Sequence, residues 1–285
     1  MFVPPGLRAG GKVRRGAQLF LKSYARYRPA ELDRRFAALH VARERASAAL
    51  YAEGDLSPYE LKVFSQNGEG GVLIEIFNRI GTTNRYFVEF GIQDGTEGNA
   101  VLLAEVFGWS GLFIEADQED HERLADRYGP MPVTTLCAEV TPETIEGLFA
   151  SAGVPAEPDL LSIDIDGNDL YVWDAVTRYR PRVVVIEYNS GIRETGPVAQ
   201  RPDPASRYTG TGAFGASLDA LDVVAGRRGY RLAHTDLTGT NAFYVREDLW
   251  EALGVARAPR RRQNFGLTGL GNEPAQPEGG WATIS

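Results

Sequence analysis

A single cysteine, Cys137, stands in 285 residues, so no disulfide can form within the chain. That scarcity suits a reducing compartment, and a cytosolic protein is the expectation. Long apolar runs are also lacking: none approaches the roughly 18 residues that a membrane-spanning helix needs. Positive charges near the start are not followed by an apolar segment of about 7–15 residues, so no secretory signal is expected. Net positive charge is missing too, because 30 Lys and Arg stand against 38 Asp and Glu. Nucleic-acid binding needs a basic footprint on the folded domain, and this acidic composition does not offer one.

What is there is unevenly spread. Residues 1–50 carry +8 and the remainder −16. The basic segment could touch an acidic partner or a membrane surface, or form a solvated helical face. Residues 16–28 and 30–53 read as helices, with Leu32, Phe36, Leu39, Ala46 and Leu50 on one stripe. Copies of the chain could pair through that stripe into a homo-oligomer. The chain divides into a basic helical extension (1–56), a core domain (57–250) and a tail (251–285). The tail carries Arg260, Arg261 and Arg262 and reads as loosely held.

In the core domain, residues 69–80 read as a helix stopped by Gly81. Five short apolar runs follow: Tyr86–Phe90, Gly111–Glu115, Val133–Cys137, Leu160–Asp164 and Val183–Glu187. The first four are each trailed by a helical segment, at 98–107, 118–128, 142–152 and 168–178. Strands apolar on both faces and alternating with helices predict a parallel sheet covered on both sides. After a Gly/Pro/Ser stretch at 190–215 come a helix at about 216–228 and two strands, Tyr230–His234 and Ala242–Val245, in an antiparallel pair. The expected fold class is α/β. It is a doubly wound, Rossmann-like seven-stranded sheet, with five parallel strands, a C-terminal antiparallel hairpin and helices on both faces.

The first strand runs into Glu89-Phe-Gly91-Ile-Gln-Asp94-Gly95. Glycines there let a ligand approach the backbone closely. A dinucleotide site would show G-x-G-x-x-G and present the helix start to a pyrophosphate. Here the spacing is G-x-x-x-G, and Glu89 and Asp94 would repel two phosphate charges. S-adenosylmethionine (AdoMet) has no phosphate and carries an ammonium and a sulfonium, so acids beside this turn favour it. Glu115, 24 residues after Gly91, is placed to accept both ribose hydroxyls, or is a plain strand-end acid. Asp117 reads as a helix N-cap. Glu139, after the third strand, would face the adenine, and Cys137 reads as a buried small apolar side chain. Ser65-Gln66-Asn67-Gly68-Glu69-Gly70 either caps a helix or closes over the cofactor through Gln66.

The densest cluster is Asp159-Leu-Leu-Ser-Ile-Asp164-Ile-Asp166-Gly-Asn168-Asp169. Ligands of open α/β sheets sit outside the carboxyl ends of the strands. The next strand ends in Glu187-Tyr188-Asn189. Oxygen ligands from two neighbouring strands, Asp164, Asp166, Glu187 and Asn189, would suit a hard divalent cation such as Mg²⁺. Without a metal, Asp164 or Asp166 would serve as general base, or would hold the AdoMet ammonium. Helix capping by Asn168 or Asp169 is the structural alternative. His234, with Asn241 opposite, is a further candidate proton acceptor. Tyr208 through Ser217, carrying Phe214, is the expected acceptor-facing wall.

At these residues the chain resembles the FkbM-type AdoMet-dependent methyltransferases, of class I layout. The matching parts are Phe64-Ser-Gln-Asn-Gly-Glu69, Tyr86 through Gly91 to Gly95, Phe113-Ile-Glu115, Leu161-Ser-Ile-Asp164-Ile-Asp166-Gly167 and Val183 to Asn189. The likeness covers roughly residues 60–250. Gln93 stands where many class I enzymes have a second glycine, and Asp166 where FkbM-type sequences often have Glu. The resemblance implies O-methylation of a hydroxyl on a sugar or other natural product. Two other readings compete: an NAD-linked oxidoreductase, and a non-catalytic AdoMet-fold protein that binds a partner through its basic helices.

Overall fold

The computed structural model describes residues 54–192, 196–203, 211–256, 258, 260 and 276–285. The expected helices before residue 54, their apolar stripe, Tyr208, Arg261 and Arg262 lie outside the described residues. Among the described residues the first regular elements are a 3-10 turn at Ser57–Tyr59 and helix α1, Glu69–Ile80. There follow β1 (Tyr86–Phe90), α2 (Val101–Glu105), β2 (Ser110–Glu115), α3 (Gln118–Tyr128), β3 (Val133–Cys137) and α4 (Ile145–Ser151). Next come β4 (Leu160–Ile163), α5 (Asp169–Ala175), β5 (Val183–Glu187), β6 (Val198–Ala199) and α6 (Leu218–Arg228). The chain ends with β7 (Tyr230–Thr235), β8 (Asn241–Arg246), α7 (Trp250–Leu253) and β9 (Ala282–Thr283).

The main sheet has seven strands in the order β3-β2-β1-β4-β5-β8-β7. The first five run parallel, and β8 lies antiparallel to both β5 and β7. This is the expected doubly wound, Rossmann-like arrangement. It follows from strands that bury both faces: β4 and β8 have no exposed residue at all. On one face Val88, Leu112, Leu161, Val184 and Tyr244 pack with Phe149 of α4, Trp173 of α5 and Leu221 of α6. On the other, Phe87, Phe113 and Tyr128 stack in sequence with ring centroids 4.8 and 4.7 Å apart. Trp109 and Trp173 are core residues, as expected, 4% and 1% exposed.

Local chemistry sets several boundaries. Asp117 caps α3, accepting the N–H groups of Glu119 and Asp120 at 2.9 and 3.0 Å. Ser217 caps α6 through the Ala220 N–H. Gly229, at φ 75°, ends α6 in the left-handed region that a residue with a Cβ avoids. Two expectations need correction. The final residues are not loose: β9 pairs antiparallel with β6, inside the stretch read as irregular. Cys137 is exposed, not buried, and its thiol donates to Gln118 Oε1 at 3.3 Å. No helix among the described residues is long and apolar enough to cross a membrane.

Candidate functional site

The site is a row across the carboxyl edge of the sheet. Glu115 pairs with Cys137, and Glu187 with Asn241. Phe90 pairs with Ile114 and Ile163, and Ile163 with Ile186. One step further along each strand therefore sets Gly91, Glu115, Asp164 and Glu187 side by side. Residues level with one another in a ladder present the same face. One pleat beneath, on that same face, lie Glu89, Phe113, Ser162, Val185, Phe243 and His234.

At the β1 end, Gly91 is exposed with φ 74°. A Cβ there would stand 1.7 Å from the carbonyl oxygen of Asp164, so only glycine lets the two strand ends meet. Glu115 is 8% exposed and held rigidly, accepting the Gln93 N–H at 2.6 Å and the Asp117 N–H at 2.8 Å. Glu89 is buried and accepts the N–H groups of Asn99 at 2.7 Å and Ala100 at 2.8 Å, just before α2. Burial outweighs those donors and raises its carboxyl to about 7.

Other expected cofactor residues divide. Gln66 and Glu139 are exposed. Asp94 folds back on its own turn, accepting the Thr96 N–H and hydroxyl at 3.0 and 2.6 Å. Burial would raise it, but Thr96 and the Arg127 and Arg123 guanidinium groups hold it below the usual range. At Gly95 a Cβ would strike Leu124 and Tyr128 at 2.5 Å, so close packing of α3 requires a glycine there.

At the β4–β5 end, one carboxylate oxygen each of Asp164, Asp166 and Glu187 lies within 4.8 Å of the others. Asp164 and Glu187 are half-buried and Asp166 is exposed. Asp166 has φ 56°, a strained conformation for a residue other than glycine. Burial raises all three carboxyls. For Asp164, Asp169 and Asp166 push further in the same direction; for Glu187, Asp164 and Asp169 do so. Such crowding is relieved by a proton or by a cation. Asp169 is buried and accepts the N–H groups of Ile165 and Gly167, both at 2.8 Å, so it shapes the loop that carries Asp166.

Three expectations about this end are corrected. Asp159 does not belong to the cluster: it precedes β4, at the opposite edge of the sheet, and pairs with Arg182 at 2.7 Å. Asn189 is not a free ligand. Its Nδ2 donates to the carbonyls of Gly212 and Phe214, both at 2.9 Å, and its Oδ1 accepts the Gly191 N–H. It anchors the loop ahead of α6 instead. His234 is 0% exposed and 2.7 Å from Glu60 Oε1, one pleat below the row, where no acceptor can reach it.

The structure adds residues to the row that were not assigned from sequence. Glu69 is buried, accepting the N–H groups of Asn67 and Gly68 at 2.8 Å and the Asn241 amide at 2.8 Å. Asp236 is buried too, accepting from Thr238, Gly239, Thr240 and Asn241. Burial and the nearby Glu69 raise it to about 6. Glu60 bonds the Leu237 N–H as well as His234. The start of α1 and the segment before it are thus fastened to the β7–β8 hairpin by Glu69 and Glu60. The only sequence signal was the run of polar residues from Ser65 to Glu69.

No family model matches the chain, and no curated relative does. Similar solved structures do exist. One is the N-terminal domain of EvdMO1, solved in the presence of SAH and D-fucose (17% identity, 62% of this chain and 80% of that chain, TM-score 0.41). Another is a SAM-dependent methyltransferase from Aquifex aeolicus (13% identity, 61% and 88%, TM-score 0.36). A third is a TehB-like SAM-dependent methyltransferase from Corynebacterium glutamicum (11% identity, 75% and 98%, TM-score 0.36). All three are distant.

Proposed function

We propose that the chain transfers the methyl group of AdoMet to a hydroxyl oxygen of a sugar or other natural-product acceptor. The observation that carries this reading is the carboxylate of Glu89 on the N–H groups of Asn99 and Ala100. Those groups open the helix after the first strand, where a dinucleotide would seat its pyrophosphate. They are already filled by the protein's own carboxyl oxygens, which leaves no donors there for a pyrophosphate and disfavours NAD. A donor without phosphates meets no such conflict.

Glu115, buried and fixed by two N–H groups, fits a ribose diol. Gly91 and Gln93 would lie along the donor, with Glu139 at the adenine, Asp94 behind the turn and Gln66 above. When bound, AdoMet supplies an electrophilic methyl group whose leaving group is a neutral thioether. Asp164 and Asp166 hold the acceptor hydroxyl and take its proton. Burial raises the proton affinity of both carboxyls, which favours taking a proton from the hydroxyl. The FkbM-type resemblance supports oxygen as the acceptor atom. Exposed residues Gly91, Gln93 and Asp166 along the row speak against a blocked, non-catalytic cleft.

Calorimetric titration separates the readings. Saturable binding of AdoMet but not of NAD⁺ is expected, and the reverse preference overturns the proposal. Asp164→Asn is expected to keep AdoMet affinity while methyl transfer falls by roughly 100-fold or more.

A further inference from the structure

We propose that Asp164, Asp166 and Glu187, joined by the side-chain carbonyl of Asn241, form a binding site for a hard divalent cation, Mg²⁺ or Mn²⁺. The carboxylates arrive from two adjacent strand ends, with one oxygen from each within 4.8 Å of the others. In an octahedral Mg²⁺ shell, with oxygens at about 2.1 Å from the ion, neighbouring oxygens stand roughly 3 Å apart. Closing the three oxygens onto an ion therefore takes up to about an ångström of movement from each side chain. Every donor is oxygen, with no imidazole or thiolate among them, which favours Mg²⁺ or Mn²⁺ over softer metals.

Acidic groups crowd many surfaces without binding an ion, and Asn241 is what sets this cluster apart. It is 3% exposed and is the direct antiparallel partner of Glu187, so both side chains stand on one face. Its Nδ2 donates to Glu69 Oε1 at 2.8 Å, which fixes the other end as the carbonyl. That carbonyl oxygen, Oδ1, is buried with no donor. A buried carbonyl without a partner is costly to the fold. Its neighbours along the row are Glu187 on one side and Asp236 on the other. Asp236 already takes four donors of its own. A proton on Glu187 would serve the carbonyl alone, whereas a cation beside Glu187 serves the carbonyl and the three carboxylates together.

Sequence spacing suggested Asn189 as the amide ligand. The pairing of β5 with β8 supplies Asn241 in its place. Cation binding does not depend on the methyl donor. Its consequence does rest on the function proposed above: a hydroxyl bound to the ion would lose its proton more readily, and each carboxylate would keep a second oxygen to receive it.

The test is a titration of the full-length, chelator-treated protein with Mn²⁺, following the free ion by electron paramagnetic resonance. One Mn²⁺ per chain, displaced by Mg²⁺, is expected. Asp166→Asn, at an exposed position, is expected to weaken binding by about tenfold or more. It should also abolish any rise in Tm on adding Mn²⁺. Asn241→Ala is expected to weaken binding comparably, with Asn241→Asp, which keeps an oxygen at that place, binding at least as tightly as wild type. Absence of saturable binding by the folded wild type at millimolar Mn²⁺ overturns the proposal, as does unchanged affinity in Asp166→Asn. Unchanged affinity in Asn241→Ala overturns the assignment of its carbonyl. AdoMet binding without Mn²⁺ binding defeats this site and leaves the donor reading intact. Mn²⁺ binding without AdoMet binding does the opposite.

Discussion

Gly91 has no room for a methyl group, because its missing Cβ is replaced in space by the Asp164 carbonyl. Gly91→Ala also forces a side chain onto φ 74°. A destabilisation of roughly 1–3 kcal/mol is expected from the strained backbone alone, read as a lower urea midpoint. A midpoint equal to wild type would mean the two strand ends are not locked together. The buried acids make a second residue-scale claim. Glu89 rises from 4.5 to about 7 and Asp236 from 3.8 to about 6 in the folded chain. The folded state therefore keeps protons that the unfolded state has already released, and stability falls as pH rises from about 4 through about 7. The loss should reach a few kcal/mol, measured by urea unfolding at stepped pH with a chelator present. Glu146 acts oppositely. Held at about 2 by the backbone and side-chain donors of Arg178 and Thr177, against the pull of burial, it costs stability only as pH falls below about 4. An unfolding free energy that climbs between pH 5 and 7 would contradict this picture.

Elements are joined by a few buried polar ties. The Arg182 guanidinium donates to Asp159 at 2.7 Å and to the carbonyls of Ile80 and Gly81, which end α1. Asp159 also gathers the N–H groups of Thr83, Asn84 and Arg85. Asp159→Ala leaves Arg182 charged and unpaired at 4% exposure, so a loss of about 3–5 kcal/mol is expected. A thermal shift of only a degree or two would mean that this tie is dispensable. The pair was not legible in the sequence, where Asp159 looked like part of the acid cluster beyond it. Nothing in a run of acids says which side of a four-residue strand each will occupy. The β6–β9 pairing was equally hidden, since two-residue strands carry no periodicity. Truncation at residue 275 is expected to speed amide exchange over 196–201, as Ile284 N–H no longer holds the Pro197 carbonyl and β6 loses its partner. Unaltered exchange there would show that the loop holds itself.

Across the whole molecule, the sheet was readable because its strands are apolar on both faces and alternate with helices. That pattern fixes a parallel, doubly covered layout without reference to any one contact. The acids at the strand tips were readable for the same reason, since a strand's end is visible in sequence. What could not be read was depth. His234 and Asn241 are seven residues apart, yet one is sealed against Glu60 and the other stands in the row beside Glu187. That difference depends on which pleat each strand brings level with its neighbour and on a carboxylate over 170 residues away. The row from Glu115 to Glu187 is expected to receive a phosphate-free, positively charged adenosine donor. A crystal structure with S-adenosylhomocysteine tests this most directly. Both ribose hydroxyls are expected on the Glu115 carboxylate, with the sulfur directed toward Asp164. An adenosine bound elsewhere, or a row left empty, would contradict it.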